Sequence, residues 1–169
     1  MTSSRPARGK YGGDMTSVSV STTIAATPDA VWALVSDLTR MGEWSPESEG
    51  VEWLGGARGP ALGVAFKGSN RIGSKSWTTR GRIVAAEPGH TLAFRISAAG
   101  MRVAEWRYEL AATDDGCTVT ESWTDERGPI IRAIGSMATG VKDREAHNRT
   151  TMQATLERLK AAAEVPRGG

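Results

Sequence analysis

The sequence predicts an α+β chain: a curved antiparallel sheet of six to seven strands wrapped round a long C-terminal helix. Three observations carry this. Strand-length segments with period-two alternation follow one another with only turn residues between them, which excludes βαβ units. The apolar period then changes, so that Ile134, Ala138, Val141, Met152, Leu156, Leu159 and Ala163 recur at helical spacing. A helix with one apolar stripe needs a sheet to cover it. At 169 residues the chain reads as one domain, 17–165, behind a disordered tail over 1–16 that is rich in Ser, Gly and Arg.

Ser17–Ala26 alternates cleanly, with Val18, Val20, Thr22 and Ile24 on one face. Thr27-Pro28-Asp29 starts a helix: a Thr N-cap, Pro at the first helical position and an acid in the first turn. Val31, Leu34, Val35 and Leu38 continue it at helical spacing, and a short turn or second helix over Arg40–Trp44 ends at Ser45-Pro46. Six strands follow, over Gly50–Leu54, Val64–Arg71, Ser74–Glu87, Thr91–Ser97, Met101–Ala112 and Cys117–Glu126. Glu87-Pro88-Gly89-His90 and Thr113-Asp114-Asp115-Gly116 supply turn chemistry between them. Gly81 within the third of these strands reads as a bulge that bends the sheet. The predicted order is therefore strand, helix, short helix, six strands, long helix.

Composition narrows the function classes. There are 21 basic and 19 acidic residues, a net charge of +2, so no clustered basic face for nucleic acid is expected. The single Cys117 allows no internal disulfide and fits a reducing, cytoplasmic setting. No apolar run has the length of a membrane span, and Met1–Asp14 holds no apolar stretch of the secretory type. Asn148-Arg149-Thr150 matches a glycosylation acceptor and reads as coincidence without such a leader.

Thr27-Pro28-Asp29-Ala30-Val31-Trp32, Trp44-Ser45-Pro46, Glu87-Pro88-Gly89 and the segment Met152–Lys160 stand in a telling order and spacing. Together they resemble the polyketide cyclase/dehydrase members of the START-like (SRPBCC) superfamily, over about residues 17–163. The resemblance implies a helix-grip fold with a deep cavity between sheet and C-terminal helix. It implies no single activity, because that superfamily hosts lipid and hormone carriers, aromatic polyketide cyclases, and ribosome-associated or toxin-system members.

Strand parity sorts out which residues would face such a cavity. Cys117, Val119, Glu121 and Trp123 share the apolar face of the last strand. Trp106 and Tyr108 point inward from the strand before it. Phe66 pairs in parity with Asn70, Trp77 with Thr79, and Phe94 with Leu92 and Ile96. On the helix the stripe runs through Ile134, Val141, Met152 and Leu159, with Glu145 and Asn148 inside it and His147 away from it. A buried polar group costs about 1–3 kcal/mol without a partner. Glu121, Glu145, Asn148, Asn70 and Thr79 are thus expected to bond one another, an arginine such as Arg71, Arg132 or Arg144, or a ligand. Trp44 and Trp53 read either as mouth residues or as packing. Six tryptophans in all suit a flat apolar or aromatic ligand.

Catalytic constellations are mostly missing. The two histidines, His90 and His147, fit no Ser-His-Asp or Cys-His arrangement, and no cluster has metal spacing. No phosphate-cradling glycine motif occurs, so neither metal nor cofactor is expected. Carboxylates remain: Glu121 or Glu145, desolvated in an apolar cavity, would have a raised pKa suited to general acid–base work. Three readings stay open. The first is a monomeric or homodimeric binder of a small hydrophobic or aromatic molecule, lipid- or polyketide-like. The second is a polyketide cyclase or dehydratase using those acids. The third is a toxin-system or ribosome-associated interaction protein.

Overall fold

A computed structural model describes residues 16–165. Of the tail expected over 1–16, residues 1–15 lie outside them, as do Pro166 and the closing glycines. Thr16, assigned to that tail, accepts a backbone hydrogen bond from Asp125. The elements are β1 (Ser17–Ile24), α1 (Pro28–Val35), a 3-10 turn (Leu38–Glu43), β2 (Ser48–Trp53), β3 (Ala65–Ile72), β4 (Lys75–Glu87), β5 (Thr91–Ala98), β6 (Met101–Thr113), β7 (Gly116–Asp125), α2 (Pro129–Thr139) and α3 (Arg144–Ala163). All seven strands form one antiparallel sheet in the order β1-β7-β6-β5-β4-β3-β2. The helix-grip arrangement expected of the sequence is what the chain adopts.

Local chemistry accounts for the ends of the helices. Thr27 Oγ1 accepts from the Ala30 amide and Pro28 occupies the first turn, as the sequence requires of α1. The long C-terminal helix divides in two. Gly140 ends α2 in the left-handed conformation, φ 76°, which only glycine adopts at little cost. Asp143 then caps α3, its carboxylate accepting from the Ala146 amide at 3.0 Å. Asp143→Ala should cost about 1 kcal/mol. That is a fall of roughly 2–4 °C in the midpoint of a thermal melt followed by helical circular dichroism. An unchanged midpoint would show that packing alone holds the start of α3.

Alternation in β7 is complete: Cys117, Val119, Glu121, Trp123 and Asp125 are buried. Its other face meets β1 through Ser19–Ser122 and Ser21–Thr120 hydroxyl bonds. The core joins sheet to helices through Ile24, Val31, Leu92, Val119, Leu156 and Leu159. At the far end of α3, Lys160 Nζ donates to the Thr23 carbonyl and the Ala25 amide donates to Glu164, tying the helix to the end of β1. The β4 bulge falls between Ile83 and Ala85 rather than at Gly81. Gly81 instead makes room for a ring: a Cβ there would lie 2.0 Å from Cζ of Phe66.

Candidate functional site

The concave face of the sheet does not close completely on the helices. It leaves a cavity of about 350 Å³, within the range of small-molecule sites. Phe66, Trp77, Phe94, Trp106, Trp123 and Met152 form much of its wall. Phe66 and Phe94 meet edge to face at 5.5 Å, and Trp106 and Trp123 lie tilted at 6.5 Å. Along one side α2 contributes Ile131, Ile134 and Ala138, although Ile134, expected inside the buried stripe, is exposed like Ile130 and Met137 of the same helix.

One end of this wall is polar and neutral. The β6–β7 register sets Tyr108 directly across from Glu121. Both are buried, and Tyr108 Oη donates to Glu121 Oε1 at 2.8 Å. Burial raises the Glu121 pKa to about 8 against the partial opposition of that hydrogen bond. Burial first, then the neighbouring Glu121, pushes the Tyr108 hydroxyl well above its usual range. At neutral pH Glu121 is thus mostly a carboxylic acid. Its Oε2 and the Nδ2 of buried Asn148 have no partner among the described residues, and both residues border the cavity. Asn70 Nδ2 donates to Thr79 Oγ1 at 3.3 Å on the same wall.

The other end is ionic. Glu47, Arg127 and Arg144 border the cavity. Arg144 Nη1 bonds Glu47 Oε1 at 3.2 Å, and His147 Nε2 bonds the same oxygen. Arg127 forks onto Asp125 through Nε and Nη2, both at 2.9 Å, and Arg132 of α2 lies 3.3 Å from Asp125. Burial alone would raise the Asp125 carboxyl; the Arg127 hydrogen bonds prevail and hold it below the usual range. Arg144 is lowered, chiefly by burial, with Glu47 opposing and Arg127 adding repulsion.

The chain brings together Phe66, Asn70, Trp77, Thr79, Phe94, Trp106, Tyr108, Glu121, Trp123, Asn148 and Met152 around one space. Four expected site residues fall elsewhere. Trp44 is buried in the core with the Arg40 guanidinium 5.3 Å over its ring. Trp53 packs edge-on to Phe66 at 5.9 Å, behind the cavity wall. Val141 sits in the link between the two helices. Glu145, expected inside the buried stripe, is half exposed in the first turn of α3, 3.6 Å from Arg149. The break at Gly140 destroys the helical phase carried through from α2. A carboxylate in a first turn gains from the helix's positive end while staying in water.

Glu121 also lacks the arginine expected for it, because the three arginines are taken: Arg71 by Glu49, Arg132 by Asp125 and Arg144 by Glu47. His147, placed off the stripe, is partly covered and bonded to Glu47. Sequence reasoning missed Glu47, Arg127 and Arg144 as cavity residues. The one local signal was the acid-free run from Arg127 to Lys142, which carries three cations. Among the described residues no three His, Cys, Asp or Glu side chains group as metal ligands, and no helix is long and apolar enough to cross a membrane.

Solved structures share this architecture. Protein MLL2253 from Mesorhizobium loti superposes with a TM-score of 0.63 at 17% identity, covering 90% of this chain and 100% of its own. One di-domain aromatase/cyclase, StfQ of the steffimycin biosynthetic pathway, gives 0.69 at 16% identity. There 89% of this chain matches 51% of that one, so the chain spans about half of the two-domain protein. The polyketide-cyclase-like protein Cgl2372 from Corynebacterium glutamicum gives 0.51 at 29% identity, over 90% and 86%. No curated protein matches in sequence. A family model covers residues 15–164, nearly the whole described chain, and by that match the protein belongs to the polyketide cyclase/dehydrase and lipid transport family.

Proposed function

We propose that this protein, one ligand-binding domain over 17–165, binds a small and mostly apolar molecule between the sheet and α3. The observation that carries the reading is a cavity of about 350 Å³ with aromatic walls, bordered by two buried polar atoms, Glu121 Oε2 and Asn148 Nδ2, that lack partners among the described residues. A ligand with an apolar body and one hydroxyl or carbonyl would fill the space and satisfy both atoms. Loss of a partner to such a group costs about 1–3 kcal/mol, so these atoms select as well as hold. The family's lipid-transport and cyclase members support the reading, and the free, buried Cys117 fits the reducing cytoplasm.

The test is native mass spectrometry of protein purified from its own host, paired with titration of N-phenyl-1-naphthylamine. A retained small molecule is expected, and energy transfer from Trp106 and Trp123 to the bound probe. Clean apo protein that also fails to bind the probe up to its solubility would sink the reading.

One observation favours a second reading, a cyclase or dehydratase. Glu121, with its pKa raised to about 8, can give a proton to a departing hydroxyl at neutral pH. Glu121→Gln would then abolish turnover while leaving probe binding intact. Turnover surviving in that variant would remove Glu121 from the chemistry.

A further inference from the structure

The cavity's two ends differ in charge, and that difference says what lies in it. At the ionic end three guanidiniums, Arg127, Arg132 and Arg144, face two carboxylates, Asp125 and Glu47. One positive charge is left over before His147 is counted. Both arginines on the cavity wall keep donors in reserve. Arg127 spends Nε and Nη2 on Asp125, leaving Nη1 beside α2, where a Cβ on Gly135 would come 3.4 Å from it. Arg144 spends only Nη1 on Glu47. The two guanidiniums also repel one another. An anion placed between them would relieve that repulsion and accept from both forks.

The opposite end carries no charge at neutral pH. Glu121 stands four residues before Asp125 on the same face of β7, about 13 Å along the strand. Between the two ends the wall holds Trp123, Met152 and Trp106.

Resting on the binding reading above, we infer that the ligand is an amphipathic anion. Its carboxylate lies between Arg127 and Arg144, and its apolar chain or ring system runs along Trp123, carrying any hydroxyl or carbonyl of the same ligand toward Glu121 and Asn148. Glu47 is the internal competitor. It holds Arg144 in the empty protein, and a bound carboxylate shares or displaces it, with His147 retaining Glu47 on the far side. Hydrogen bonds between guanidinium and carboxylate in a desolvated site are about twice as strong as neutral ones. A neutral ligand of the same shape forgoes them.

The experiment is calorimetric titration of the full chain with decanoate and with 1-decanol, both below their aggregation limits. Decanoate should bind at least ~10-fold tighter than the alcohol, the worth of one good charge-assisted hydrogen bond. Arg144→Gln should bring that ratio close to one and leave the alcohol's affinity unchanged. Glu47→Gln should tighten decanoate and not the alcohol, an improvement that damage to the fold cannot mimic. Equal affinity of wild type for the two, or a decanoate preference that survives Arg144→Gln, overturns the inference and leaves the cavity reading standing. If neither compound binds while N-phenyl-1-naphthylamine does, the inference falls and the cavity reading stands. Should Arg144→Gln fail to fold, Glu47→Gln decides alone, and unchanged decanoate affinity there also overturns the inference.

Discussion

Wild-type protein should lose unfolding free energy as pH rises from 4.5 to 8, and Glu121→Gln should not. The cause is the Glu121 carboxyl, raised from 4.5 to about 8 by burial. Below pH 4.5 it is neutral in both folded and unfolded chains. Above that the unfolded chain gives up its proton while the native protein keeps it, so the native state binds more protons and its stability falls with pH. At 1.36 kcal/mol per unit, the loss reaches about 3 kcal/mol by pH 7. Carboxyls held low in the native state, Asp125, Glu43 and Glu164, lose their contribution at lower pH and are common to both proteins. Urea denaturation at several pH values, wild type against Glu121→Gln, isolates the effect. The variant, which keeps an acceptor for Tyr108 Oη, should be the more stable of the two at pH 8. Parallel pH profiles would mean that Glu121 is ionised in the folded protein, which would also remove the hydrogen-bond donor from the neutral end of the cavity.

Gly81→Ala should destabilise the protein by about 3 kcal/mol, the upper end for forcing an extra methyl into a packed core. The new Cβ would fall 2.0 Å from Cζ of Phe66 and within 2.5 Å of both Cε atoms, so the ring has to leave. Its neighbours are Trp53 at 5.9 Å and Phe94 at 5.5 Å, both edge to face. The open direction is the cavity that Phe66 already borders. A midpoint of thermal unfolding lower by roughly 10 °C is expected, together with weaker binding of N-phenyl-1-naphthylamine as the ring takes up ligand volume. Adding Phe66→Leu should return part of the loss, because the two substitutions share one space. A midpoint unmoved by Gly81→Ala would show that the ring has another place to go.

Strand identity and facing were legible in the sequence because period two is short and self-checking. Val18 and Ile24, the β7 run from Cys117 to Trp123, and inward Trp106 and Tyr108 all follow from parity within one strand. The α1 cap was legible for the same reason: Thr27, Pro28 and Ala30 are close neighbours, and the bond between them is local. Even the existence of a cavity was prefigured by polar residues, Glu121 and Asn148, that alternate into an apolar face.

Tertiary structure decided what those polar residues meet. Tyr108 rather than an arginine opposes Glu121 because the β6–β7 register puts it there, and parity fixes a face without fixing a partner. Glu47 finds Arg144 and His147 across 97 and 100 residues of chain, a meeting no local pattern encodes. Glu145 left the cavity because Gly140 and Asp143 break one helix into two, and a helical wheel loses its phase at such a break. Sequence by itself thus determined the fold and the neutral, apolar half of the site. Its charged half was decided only by folding, since ion pairs are chosen by distance in space and the chain's periodicity records only burial.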